Sequence, residues 1–181
     1  MNSTVVVVSS SKTHSFSKLN QASINLIEGI GVQGDAHAGK SIKHIYLAKK
    51  DPSRPNIRQI HLIQSELFEE LAEQGFDVEA GQLGENVTTQ GLDLLSLPTG
   101  TQLKIGENAV IELTALRNPC VQIHNFKKGL LKAVMGKDDD GKVVRKVGVM
   151  GIVAAGGEVK PNDVIEVIFP EQPHSPLQYV W

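Results

Sequence analysis

The sequence predicts a mainly β fold, on the border between all-β and α+β, in which a β-barrel carries a few helices on its outside. Three observations predict it. Apolar and β-branched residues recur in short runs with a period of two, glycines stand at the joins between runs, and helical stripes are few and short. An alternating parallel α/β layout would need a helical pattern between successive strands, and the chain does not supply one.

The elements follow in order. Thr4 to Ser9 and the apolar residues Ile24, Leu26 and Ile30 read as short strands, and Gly31 to Ser41 as loop. Ile57 to Ile63 is strand-like. Ser65 then stands as an N-cap for a helix with Leu67, Phe68, Leu71 and Ala72 on one face, ended by Gly75. The period returns to two from Leu83. Leu103 and Ile105, the turn Gly106 to Asn108, and Ile111 and Leu113 make a β-hairpin.

Pro119 suits the first turn of a helix through Val121, Ile123 and His124, with a break at Gly129 and a second short helix from Leu130 to Met135. Lys137 to Lys142 reads as a solvated hairpin tip; its acidic run lacks the spaced ligands and closing Glu of a calcium loop. Val147 to Ala154, the pair Gly156 and Gly157, and Val164 to Ile168 form a strand, a turn and a strand. Residues 1–169 are expected to be a single domain and 170–181 an irregular tail.

Composition narrows the function. A chain of 181 residues, 40% hydrophobic and 21% charged, suits one globular domain. A net charge of -2 without a dense Lys/Arg block predicts no structural nucleic-acid binding and no anionic membrane partner. Val5 to Val8 is too short to span a bilayer and has no signal-peptide flanks, which gives a cytoplasmic location as the expectation. The single cysteine, Cys120, excludes an internal disulfide and a four-cysteine iron-sulfur cluster.

Gly29 to Ser41, GIGVQGDAHAGKS, fits two phosphate-binding patterns. Gly29, Gly31 and Gly34 spell the dinucleotide fingerprint, but Asp35 to Gly39 carries no apolar stripe for the helix it must open. Gly34, Gly39, Lys40 and Ser41 spell the P-loop, but Asp35 and His37 would sit inside the cradle and no later strand ends in the magnesium-holding Asp. The plain alternative is a tight loop whose glycines permit positive φ.

A third reading is stronger. Gly34 to Gly39, GDAHAG, resembles the G-D-x-H-x-G loop of the MOSC family, the domain named after the C-terminal part of molybdenum cofactor sulfurases. Arg58 to Leu62 (RQIHL), Gly81 to Gly91 (GQLGENVTTQG), Arg117 to Cys120 (RNPC) and Val147 to Asp163 (VGVMGIVAAGGEVKPND) resemble successive motifs of the same family, in order. The resemblance runs from about Val5 to Ile168, with Ala36 and Ala38 in place of bulkier or basic residues and Asn162 in place of a common Gly.

The resemblance implies a MOSC-type β-barrel that binds the molybdenum cofactor, Mo-molybdopterin, with Cys120 ligating the metal. It also implies reduction of N-hydroxylated compounds or bases with electrons from a partner reductase, since related amidoxime-reducing enzymes and stand-alone bacterial members do this. Sulfur transfer is an older proposal for the family, and pyridoxal phosphate binding is a family-level association.

The residues add their own chemistry. A thiolate suits a soft metal, and Cys120 sits at an expected helix start near Arg117, both of which favour ionised sulfur; the alternative is an inert buried thiol. Arg117 offers a rigid fork for a phosphate or a pterin carbonyl, or else makes a surface ion pair. Glu85, Asn86, Thr88 and Thr89 bring the donors and acceptors a pterin ring needs, or else form an Asn-centred turn. His37 and His61 are placed to orient the cofactor or shuttle a proton, with His61 also readable as hydrogen-bonded structure. Asp35 joins the cofactor-binding set through its motif.

Together these give a molybdenum-cofactor reductase in which Cys120 binds metal and Cys120 and His37 are catalytic. The alternatives are a cofactor or persulfide carrier without turnover and, further off, a P-loop nucleotide-binding protein.

Overall fold

The computed structural model describes residues 3–43, 45–138 and 140–179, with residues 45–47 described by backbone alone. His44 and the end of the expected tail, 180–181, lie outside the described residues, as does residue 139 of the expected hairpin tip.

The first strand, β1 (Thr4–Ser10), buries Val5 and Val8. β2 (Leu19–Gln21) lies antiparallel to its end, and β3 (Ile24–Ile27) pairs with the two-residue β4 (Gly31–Val32). A short helix α1 (Ile45–Lys50) follows the glycine loop, where no helix was expected. β5 (Ile60–Gln64) is buried along nearly its whole length, the mark of a central strand.

The helix α2 (Glu66–Glu73) follows as expected, with Leu67 and Leu71 inward. Its cap differs: Ser65 has helical angles, φ -64° and ψ -24°, and makes no capping hydrogen bond. After β6 (Val87–Gln90) come β7 (Gln102–Ile105) and β8 (Ala109–Leu116), the expected hairpin, in which Ile105 opposes Ala109. Strict alternation places Ala109, Ile111, Leu113 and Ala115 inward along β8.

Pro119 falls outside the helix expected to contain it: α3 is Val121–Phe126, with Cys120 at its N-cap. α4 (Leu130–Ala133) starts after Gly129, whose φ of 92° makes the break. Met135 then opens a strand rather than closing a helix, because β9 (Met135–Lys137) and β10 (Val143–Arg145) form a small hairpin. β11 (Val149–Ala155), β12 (Gly157–Val159) and β13 (Ile165–Ile168) complete the chain, and β12 is a strand where only a turn was expected.

Eight strands form one sheet in the order β13-β7-β8-β11-β5-β6-β1-β2, antiparallel except for the β5–β6 pair. The mainly β expectation holds. The ladder does not close into a full barrel, although the sheet curls until a single bridge joins Thr4 to Val164 and the Ile165 N–H donates to the Ser3 carbonyl at 2.8 Å. Asn162 turns the chain into that bridge at φ 74°, a conformation that glycine adopts without strain and Asn tolerates.

One apolar core fills the concave side of this sheet, and a second lies under α2, α3 and α4 around Ile63, Leu71, Ile123 and Leu130. Gly148, φ 84°, lets β11 enter beside β5, where a Cβ would stand 2.0 Å from the Leu62 carbonyl oxygen. The tail after residue 170 has no regular element but is pinned: Leu177 is buried, and the Arg145 guanidinium stacks 4.5 Å over the Tyr179 ring. No helix among the described residues is long and apolar enough to cross a membrane.

Candidate functional site

The order β8-β11-β5 brings the end of β8 beside β5, so Arg117, just past β8, meets His61 of β5 and Arg58 just before it. The loops after β4 and before β6 add His37 and Asn86, and Cys120, at the N-cap of α3, lines the same cleft. The cleft these residues line has an enclosed volume of about 130 Å³. That is room for a ring or a phosphate, with the remainder of a larger ligand reaching the open mouth.

Asp35 organises one wall from outside the lining. Its Oδ2 accepts from Lys18 Nζ at 2.8 Å, Asn86 Nδ2 at 3.1 Å and the Ser11 N–H at 3.2 Å, while Oδ1 accepts the His37 N–H at 2.9 Å. Burial alone would raise this carboxyl, but the hydrogen bonds from His37 and the ammonium of Lys18 override it and hold it well below the usual carboxylate range. For Lys18 burial wins, lowering its pKa despite the attraction of Asp35. His37 keeps its backbone at Asp35 and its Nδ1 3.3 Å from Oδ1, with the ring on the cleft.

His61 is fully enclosed, and its Nε2 donates to the Val147 carbonyl at 2.7 Å. Burial, then the charge of Arg117, push its pKa well down, so it stays neutral and serves as a fixed wall. Asn86 ties β1, β5 and the loop after β4 together: its amide Nδ2 donates to the Ser9 carbonyl and to Asp35, and its Oδ1 accepts the His61 N–H at 3.2 Å.

The guanidinium of Arg117 is the electrostatic anomaly. It forms no ion pair among the described residues, and its Nη1 is buried without a hydrogen-bond partner, as is Nδ2 of neighbouring Asn118. Burial and the charges of Arg117 and Arg54 likewise work against the charge of Arg58. Stranded buried donors cost about 1–3 kcal/mol each, more when charged, so these two groups are free to donate to an acceptor-rich ligand. Cys120 presents its thiol to the same cleft, 3.6 Å from Gln122 Oε1.

Of the residues expected at the site, His37, His61, Asn86, Arg117 and Cys120 therefore line one cleft. Glu85, Thr88 and Thr89 do not. Glu85 is buried, accepts from the Gly81 N–H at 2.5 Å and from Thr88 Oγ1 at 3.2 Å, and has its pKa raised by burial. Thr89 is enclosed within β6.

Lys18, Arg58 and Asn56 were not foreseen. Arg58 lies within a motif already noted, whereas Lys18 sits in a stretch with no periodicity or motif. Asn56 Nδ2 donates to the carbonyls of His37 at 2.9 Å and Gly39 at 3.0 Å, shaping the loop that carries His37.

That loop settles the glycine patterns. Gly29, Gly31, Gly34 and Gly39 all have positive φ, and no helix starts at Gly34 or Ser41, which instead bridges to Pro55. The MOSC domain model matches residues 35–166, which spans the His37 loop, both arginines and Cys120.

The chain belongs to the MOSC family. That family is one associated with the molybdenum cofactor. Among solved structures, the YuaD protein from Bacillus subtilis is similar with a TM-score of 0.76 and 24% identity, covering 94% of this chain and 98% of that one. YiiM from Geobacillus stearothermophilus is similar with a TM-score of 0.66 and 19% identity, over 96% of this chain and 79% of that one. YiiM from Escherichia coli gives 0.63 and 20%, over 97% and 73%. No curated protein matches the chain.

Proposed function

We propose that this MOSC protein holds the molybdenum cofactor, Mo-molybdopterin, in the cleft and reduces N-hydroxylated compounds or bases with electrons from a partner reductase. The observation that carries the reading is the stranded guanidinium of Arg117 facing the same cleft as the thiol of Cys120. Buried cationic donors with no carboxylate partner fit an anionic, oxygen-rich pterin, and a lone soft sulfur fits its metal.

Arg117 and Arg58 would hold the anionic part of the cofactor, Asn118 would supply a further donor, and Cys120 would offer the metal a protein thiolate. The group, when bound, would supply the two-electron redox chemistry. In the reaction the N–O bond of an N-hydroxylated substrate breaks, two electrons and two protons enter, and an amine and water leave. His37 delivers a proton: Asp35 faces Nδ1, which leaves the other ring nitrogen for the substrate side. Anionic Asp35, paired with Lys18, holds the proton on Nδ1, so Nε2 takes up from water the proton that it passes to the substrate. His61, neutral and locked to Val147, gives shape rather than protons.

Pyridoxal phosphate gains less support, because the buried lysine of this region, Lys18, is held by Asp35. The P-loop reading gains no support, since Lys40 is exposed and the helix after this loop starts at Ile45 instead of opening at Lys40 and Ser41.

The test is protein made in a cofactor-competent host, analysed for Mo and pterin and assayed with reduced methyl viologen on an N-hydroxylated purine. Stoichiometric Mo with amine formation supports the reading. A sulfur adduct on Cys120 without turnover would point instead to a persulfide carrier.

A further inference from the structure

On the far side of α3 from the cleft lies a second concavity that the proposed chemistry does not use. Its floor is apolar, made by Leu131, Met135 and Val143, where α4 meets the β9–β10 hairpin. Met135 and Val143 are 39% and 48% exposed, high for large apolar residues in a chain that buries most of its others. Lys132 and Lys137 line the concavity as well, and Lys128 and Lys142 are the chain neighbours of its lining residues Gly129 and Val143. All four lysines are exposed, and none takes part in an ion pair among the described residues. Nearby Lys127 and Lys146 are instead engaged, by the Asp77 carbonyl and by Glu70.

Charge is concentrated here. Residues 127–146 hold seven Lys and Arg against three Asp, in a chain whose net charge is -2. An apolar floor flanked by exposed lysines, Lys132 and Lys137 on its lining, complements an acidic protein surface with an apolar centre. A polyanion such as nucleic acid fits less well, because the concave floor offers it nothing and Asp138 and Asp140 stand at the hairpin tip.

The position adds the second part of the argument. Cys120 is the N-cap of α3, Gln122 faces the cleft and His124 lines the groove. A six-residue helix is about 9 Å long, so a redox group brought to the groove lies within one short helix of the Cys120 thiol. The chain offers no route of its own: it has one cysteine, and no cluster of three metal-ligating side chains occurs among the described residues.

We propose that this groove docks an acidic one-electron carrier protein, which is oxidised in two successive encounters to supply the two electrons of each turnover. The proposal rests on the reductase reading, and its test separates the two.

The probe is a reduced acidic ferredoxin, compared with methyl viologen, on the holoprotein at low salt. Lys132→Glu/Lys137→Glu should raise the KM for ferredoxin on the order of ten-fold and leave dye-driven turnover within about two-fold, because reversed charges remove encounter and not chemistry. Lys132→Arg/Lys137→Arg should behave as the parent. Binding is read independently by NMR. Ferredoxin should shift the amide signals of Met135 and Val143 in the parent, not in the charge-reversed variant, and the effect should fade as salt rises. A footprint away from the groove, unchanged binding by the charge-reversed variant, no binding at all, or shifts that follow the protein's own concentration would each overturn the docking proposal. Absence of dye-driven turnover, with the footprint intact, would instead overturn the reductase reading and leave the groove as an acidic-protein site.

Discussion

Asp35 and Lys18 form an ion pair at 2.8 Å with side-chain exposures of 1% and 3%, Lys18 on the cleft lining and Asp35 behind it. The pair comes from sequence positions 17 residues apart that nothing in the local pattern joins. It fixes the two features on which the site depends, the charge behind His37 and the anchor of Asn86.

Breaking the pair should be costly. Asp35→Asn leaves a buried ammonium without its counter-charge, which typically costs about 3–5 kcal/mol. The sign of the pH dependence follows from the direction of the shift. Because the folded-state pKa of Asp35 is depressed, its contribution is fully present above the ordinary carboxylate pKa and is lost as pH falls below about 4 toward the folded value. Urea unfolding from pH 7 down to pH 2 should therefore show a steeper acid loss for the parent than for Asp35→Asn.

Arg117→Ala should do the opposite to the fold. The guanidinium has a stranded donor, so removing it should leave the melting temperature unchanged or slightly higher. Cofactor retention should fall, because a charge-assisted contact to an anion is worth roughly 1.5–3 kcal/mol. Mo and pterin content beside a thermal melt checks both halves, and equal cofactor content in parent and variant would contradict the assigned role.

His37→Gln should keep cofactor and fold yet lower dye-driven turnover on the order of a hundred-fold, the usual loss when a positioned proton donor is removed. Cofactor loss matching the activity loss would make His37 a binding residue instead.

Lys40→Ala should change neither cofactor content nor turnover by more than a few-fold. Lys40 is exposed, and no helix opens at Lys40 and Ser41, where a phosphate cradle needs one. Tight nucleotide binding by the parent, abolished in this variant, would contradict that.

Much of the fold was legible because it was written in local periodicity. The alternation along Ala109–Leu116 and the stripe of Leu67 and Leu71 survive into the structure with their inward faces as expected. Met135 was misplaced because a residue after a short helix and before a glycine carries no periodic signal, and tertiary pairing with Arg145 decided its state. That the sheet stops short of a closed barrel was not legible, since closure depends on accumulated sheet twist rather than on any one strand.

At the site, the ordered motifs brought Arg117, Cys120, His37, His61 and Asn86 to one cleft. The GENVTT stretch was over-read. Glu85 before β6, and Thr88 and Thr89 on opposite faces of it, are all buried away from the lining, and only Asn86 reaches it. Lys18 was missed because its partner is brought close only by the packing of the first strands.

The central claim is that Cys120 supplies the protein's sulfur to a molybdenum centre. Cys120→Ser changes volume little at an N-cap position, so the variant should fold as the parent does. X-ray absorption at the Mo edge, on parent and variant loaded in the same host, measures the ligand directly. The account predicts a sulfur contact in the parent that is missing from the variant, together with loss of turnover. An unchanged sulfur shell with full turnover in Cys120→Ser would contradict it.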